Sequence, residues 1–281
     1  MPTYAEALAY LDSFINYEKV PGIGYGARRY DLNSFARFLA ALGNPHYLHD
    51  CLHVAGTKGK GSTSALAAAG LTGLGLKVGL YTSPHLVTIR ERISVGGRLV
   101  REEEFARIIT ELQPVAARLG RTEKTFRTFF ELVTAAGMLH FQASGCGQVV
   151  YETGMGGRLD ATNVVPAGVA GITAISIDHT QALGATLAAI ATEKAGIIKP
   201  GQMVISAAQE PDAAAVLRET SRRRRATLLE VGTDIDFVIR RHDINGLMCD
   251  VRYLDETPLR LAIPLAGRHQ AENCAVAYGM V

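Results

Sequence analysis

The chain has 281 residues, 48% of them hydrophobic and 20% charged, the proportions of a globular protein with room for one large α/β domain or two modest ones. A formal net charge of +2 leaves bulk electrostatics little with which to hold nucleic acid. Cys51, Cys146, Cys249 and Cys274 lack the paired spacing of a zinc site or disulfide set and read as reduced core residues.

Glu6 and Asp12 break any basic-then-apolar leader, and the apolar run at 66–76 is glycine-broken and too short to span a bilayer. The expectation is a cytoplasmic monomer with neither nucleic-acid nor membrane partners. Thr3 and Glu6 form a capping-box pair, predicting a helix that runs to about Tyr17. A glycine-rich loop follows at 21–26, then Arg28 and Arg29. It reads as a connector, or as a loop folding over a ligand. A second amphipathic helix is predicted over 32–42.

Residues 52–63 read as a buried strand (Leu52, Val54, Ala55) entering a turn with Gly56, Gly59 and Gly61, with a helix continuing over the alanine-rich stretch 64–74. Strand, glycine turn and helix in that order leave unpaired backbone N–H groups at a positive helix end, which is a phosphate cradle. Lys60 is placed to reach terminal phosphates, and Ser62 or Thr63 to offer a hydroxyl near a metal. The fit to the common P-loop is imperfect, because Val54 stands where that pattern has its first glycine and Gly61 separates Lys60 from Ser62. A plain glycine turn is the alternative.

The run 77–82 is a short strand, and Ser83, Pro84 and His85 follow at its carboxyl end, where open parallel sheets collect ligands. A hairpin is predicted over 93–100 around Gly96 and Gly97, then helices over 102–119 and 128–143. The strand at 148–151 delivers Glu152, a carboxylate positioned to hold Mg²⁺ against phosphates, followed by glycines that let a substrate approach closely. Another strand is expected over 169–177, ending at Asp178, His179 and Thr180, with His179 a candidate ligand. Thr186 starts a helix containing Glu193 and Lys194. A strand at 203–206, a helix at 213–222 and a strand at 227–231 follow, with the basic run 222–225 a solvated helix end or an anion site. β-type alternation broken at Asn245-Gly246 and Pro258 predicts a small antiparallel sheet over 235–264, and a helix opens after Gly267. The fold class is therefore α/β, a mostly parallel P-loop-type sheet covered by helices on both faces.

Taken together, Gly56 through Ser62, Tyr81 through His85, Thr128 through Glu131, Glu152 through Asn163, Asp178 through Thr180, Glu193 through Gly196, and His269, Gln270 and Asn273 resemble the folylpolyglutamate synthase and dihydrofolate synthase family of the Mur ligase superfamily. That resemblance implies an ATP-dependent ligase joining L-glutamate to dihydropteroate or a reduced folate through an acyl phosphate. It implies ATP phosphates on Thr57, Lys58, Gly59, Lys60, Gly61 and Ser62, with Asn273 towards the base. One Mg²⁺ would sit on Ser83 and Glu152, a second on Glu152 and His179, and Lys194 would be carbamylated. Lys60, Glu152, His179 and Lys194 would form the catalytic set. Thr128, Phe129, Phe130, Glu131, Leu159, Asp160 and Ala161 would contact the pterin. Residues 1–281 would be the ATP-binding part, without the carboxy-terminal glutamate-binding domain of the family, and a chain ending there is expected to bind Mg·ATP weakly and turn over slowly or not at all. The alternatives are an inactive ATP- and folate-binding domain or a peptidoglycan-precursor ligase of the same superfamily; the Ser83-Pro84-His85 and Leu159-Asp160-Ala161-Thr162-Asn163 stretches argue against the latter.

Overall fold

The computed structural model describes residues 2–18, 31–122 and 126–281; the glycine loop at 21–26, with Arg28 and Arg29, lies outside them. An eight-stranded sheet forms the centre, in the order β4 (Arg98–Leu99), β3 (Ile93–Val95), β2 (Val78–Tyr81), β5 (Gln148–Glu152), β1 (Asp50–Ala55), β6 (Val169–Ile172), β7 (Met203–Ser206), β8 (Thr227–Glu230). The strands from β2 to β8 in that order run parallel, and β3 and β4 add an antiparallel edge. A second, antiparallel sheet holds β11 (Leu259–Ile263), β10 (Gly246–Tyr253) and β9 (Ile235–Asp243), where the alternation predicts it.

The central strands are apolar on both sides because both faces are covered. Cys51, Tyr81, Val149 and Tyr151 pack with α1 (Tyr4–Asp12), α2 (Leu32–Ala41), α4 (Glu102–Thr122) and α5 (Phe129–Ala143). Leu52, Val54, Val78 and Val150 point the other way, to α3 (Lys60–Gly73), α9 (His269–Met280) and the small sheet. Further along the sheet, Ala170, Ile172 and Val204 meet α7 (Leu187–Lys194) and α8 (Pro211–Arg224). The remaining helix, α6 (Thr180–Leu183), is a single turn.

Two predicted elements end early, each for a local reason. The first helix stops at Asp12 and not near Tyr17, because the Ser13 hydroxyl donates to the Tyr10 carbonyl and the Ile15 carbonyl accepts from Phe129 N, turning the chain towards α5. The strand expected over 169–177 stops at Ile172, because Ala174 turns its carbonyl away to accept from Thr57 N and Lys58 N.

β1 and β5 lie side by side, yet β1 leads to β2 on one flank and β5 to β6 on the other. Their carboxyl ends thus form a switch point, where a crevice opens in such sheets. Among the described residues no helix is long and apolar enough to cross a membrane.

The core is tight where β2 passes α5: a Cβ on Gly79 would sit 2.6 Å from the Phe141 ring. Gly79→Ala is expected to destabilise by about 2 kcal/mol. Gly171→Ala, which meets chiefly the flexible Met280 thioether, should cost less. Denaturant midpoints of the two variants measure the difference.

Candidate active site

The crevice is framed by the turn leaving β1. Gly56 has φ +154°, and a Cβ there would lie 1.8 Å from Thr173 Oγ1, so only glycine lets β1 and the exit of β6 meet. Thr57 N and Lys58 N donate to Ala174 O at 3.0 and 3.2 Å, and Thr57 Oγ1 donates to Ser176 O while accepting from Ser176 N. Two of the expected phosphate-binding amides are therefore engaged within the protein. The amides of Lys60, Gly61 and Ser62 precede the first helical bond of α3, Thr63 N to Gly59 O at 2.9 Å, and have no acceptor within the helix. Gly59, at φ +88°, faces Asn273, whose Oδ1 would be 2.2 Å from a Cβ. Asn273 thus lies against the turn itself, its amide donating to Gln270 Oε1.

Opposite the turn, β5 ends in Glu152, only 4% exposed. Ser83 N donates to Glu152 Oε2 at 3.2 Å, and the buried Ser83 hydroxyl has no partner. A Cβ on Gly61 would lie 3.5 Å from Glu152 Oε2, so the carboxylate sits directly against the start of α3. Burial pushes Glu152 up to about 7, against the pull of the Lys60 ammonium. A buried carboxyl beside an orphaned hydroxyl is a pair of oxygen donors of the kind that suits Mg²⁺ once the carboxyl is deprotonated.

Lys194 ends α7 at 3% exposure and donates to Gly56 O at 2.5 Å. Burial, then repulsion from Lys60, brings it down to about 7, with Asp178 pulling the other way. His179 is not drawn into this group. It holds φ +47° at the start of α6, with an exposed ring 3.7 Å from Asp178. Among the described residues no three His, Cys, Asp or Glu side chains form a ready metal cluster.

The other predicted residues lie at the start of α5 and in the turn that follows β5. Thr128 and Glu131 are the two halves of a capping box at the start of α5, and burial raises Glu131 against the pull of Arg127. Phe129 is buried, and Phe130 lies over Gly154, its Cζ 2.7 Å from where a Cβ would be. Asp160 accepts from Gly154 N and Met155 N on one oxygen and from the Thr162 amide and hydroxyl on the other. With its acceptor positions used this way, the carboxylate chiefly shapes the turn. Leu159 and Ala161 are buried on either side of it.

Residues 54–281 match the Mur ligase middle domain. The chain belongs to the Mur ligase family. It is 38% identical over 224 residues to a dihydrofolate synthase/folylpolyglutamate synthase of Bacillus subtilis, covering 79% of this chain and 50% of that relative. It is 34% identical to a folylpolyglutamate synthase of Lacticaseibacillus casei over 98% of this chain and 62% of that one. Among solved structures, an FPGS–AMPPCP–folate complex superposes with a TM-score of 0.90 at 32% identity, covering 99% of this chain and 66% of that chain. The Thermotoga maritima folylpolyglutamate synthase gives 0.86 at 31%, covering 99% and 61%. The chain spans from about a third to about three fifths of the length of the curated relatives it matches most strongly.

Sequence reasoning missed two features of this Mur ligase site. Arg92 is a fully buried cation beside His85, and His53 Nε2 meets Thr162 Oγ1 at 2.8 Å beneath Asp160. Neither belongs to a motif with a spacing rule, and both act through contacts that only folding creates.

Glu152 gives a pH-dependent stability with a definite sign. Its folded pKa of about 7 lies above the ordinary glutamate value of 4.5, so its contribution is full below 4.5 and is lost as pH rises through 7. Without divalent cations, Glu152→Gln should gain stability over the parent at pH 8, by up to about 3 kcal/mol, and gain little at pH 4. Chemical denaturation at the two pH values measures it.

Proposed function

We propose that the protein is an ATP-dependent ligase that adds L-glutamate to dihydropteroate, reduced folates or both, working as a cytoplasmic monomer. The free, buried state of its four cysteines suits a reducing compartment. The observation that carries the reading is the buried Glu152–Ser83 pair set against the start of α3, in a chain whose solved relative is a complex with AMPPCP and folate.

In this reading the amides of Lys60, Gly61 and Ser62 receive the ATP phosphates, and the Lys60 ammonium offsets charge on the transferring phosphoryl group. Thr57, Lys58 and Gly59 shape the turn, and Asn273 holds it from α9. Ser83 and Glu152 would hold Mg²⁺, which supplies charge neutralisation on the phosphates when bound. A second ion on Glu152 and His179 requires the His179 ring to turn inward from its exposed position.

The chemistry is carboxylate activation. The pterin-borne carboxylate takes the γ-phosphoryl group, releasing ADP, and the glutamate amine then displaces phosphate to form the amide. Phe130, Asp160 and the packed start of α5, with Thr128, Phe129 and Glu131, shape the face that receives the pterin, flanked by Leu159 and Ala161. Lys194 is the residue suited to carbamylation: brought down to about 7, it presents a substantial neutral-amine fraction at physiological pH, the form that adds CO₂.

Calorimetric titration with AMPPCP and Mg²⁺ should show binding that Lys60→Ala weakens at least about tenfold, the loss expected of one charge-assisted phosphate contact. Equal affinity in both proteins would overturn the nucleotide assignment. ADP release that requires glutamate and a pterin, with dihydropteroate and tetrahydrofolate tried separately, identifies the acceptor. Release indifferent to the pterin would overturn the ligase.

A further inference from the structure

Arg92 is 1% exposed and heads the largest fully buried side chains of the described residues. Its guanidinium engages three segments. Nη1 and Nη2 donate to the Glu18 carboxylate at 2.8 and 2.6 Å, Nε donates to His85 Nδ1 at 2.9 Å, and the group lies over the Phe129 ring at 5.5 Å. Its backbone carbonyl accepts from Thr82 N at 3.1 Å. Arg92 therefore grips the segment 82–85 at both ends, with Ser83 between the two grips.

The same guanidinium touches the first residue of α5, so the Ser83 segment and the start of α5 share one support. The loop beyond is fixed as well, since Glu91 accepts from the amides of Leu86, Val87 and Thr88. A buried cation is a costly way to fill space, and apolar residues of similar volume do that task at least as well. What an apolar residue cannot do is hold a carboxylate, an imidazole and a ring in one planar geometry.

We propose that Arg92 is a positioning residue that fixes the Ser83 hydroxyl against Glu152 and thereby sets the divalent-cation affinity of the nucleotide site. This rests on the nucleotide reading given above. Arg92 acts through His85 and Thr82 on Ser83. A lysine in its place keeps the charge but cannot donate to Glu18 and His85 in the same fork.

The test titrates Mg²⁺ at fixed AMPPCP and reads the Mg²⁺ midpoint of nucleotide binding, with melting temperature measured alongside. Arg92→Lys should raise the midpoint about five- to tenfold. Glu18→Gln, at the half-exposed rim of the cluster, should raise it less and in the same direction, and it keeps the test open should Arg92→Lys fail to fold. Leu217→Ala, a buried substitution on α8 away from the crevice, serves as the control: it should lower the melting temperature and leave the midpoint unchanged. An unchanged midpoint in folded Arg92→Lys, or in Glu18→Gln where the former does not fold, overturns the proposal. So does an equal rise in Leu217→Ala. Absence of Mg²⁺-dependent binding in the parent protein overturns the nucleotide reading itself, and this inference with it.

Discussion

The site depends on keeping one carboxylate out of water. Glu152 ends β5, a strand lying between β2 and β1 and buried at its carboxyl end. Desolvation of that carboxyl is the largest influence on its acidity, and every neighbour is arranged around the cost. Lys60 supplies opposite charge across the crevice, Ser83 N supplies one hydrogen bond, and Gly61 leaves room for the oxygens to approach the helix start. None of these satisfies the carboxylate fully. A cation brought in with a ligand finds a donor already held in place by the fold, which is how a preorganised site gains affinity.

The turn that faces Glu152 is held from two sides by parts of the chain distant in sequence. From one side Thr173 and Ala174 meet Gly56, Thr57 and Lys58; from the other Asn273 meets Gly59. Lys194 adds a third hold, through the Gly56 carbonyl. A glycine-rich turn is entropically costly to order, and these contacts order it before any phosphate arrives. They also explain why α9 belongs to the site although it packs on the far face from α5: its buried side, Ala271, Cys274 and Ala275, seats it in the core shared with Val54 and Ala67, which brings Asn273 to Gly59.

Most of this architecture was legible in the sequence because it follows from local pattern. The strand, glycine turn and helix at 52–74, the capping box at Thr3 and the hairpin signal at Asn245-Gly246 each carry a short-range physical rule, and each forms. The family resemblance found Ser83 and Glu152 as a pair, and the structure joins them. What local pattern did not carry was competition between segments. Nothing near residue 174 announces that its carbonyl will accept from Thr57 and Lys58 and not continue a strand, and nothing near Arg92 announces Glu18 and His85 as partners. The His179 ring, expected at the metal, stands exposed beside Asp178 because its backbone holds the left-handed conformation that starts α6. Long-range contacts decided the first two, and local backbone conformation the third.

Glu152 and Lys194 reach the same acidity from opposite directions. An acid has been raised and a base lowered until both stand at about 7, in each case chiefly by burial, with Lys60 lowering both. Each can shed its charge near neutral pH by exchanging one proton with solvent, so the crevice need not hold two buried ions at full cost. Ligand chemistry reverses that economy. A cation at Glu152 favours the carboxylate and drives its proton off, and a group that reacts with the neutral amine of Lys194 does the same there. Filling the site should therefore be accompanied by net proton release at neutral pH, because Glu152 and Lys194 both start partly protonated and are called on in their deprotonated forms.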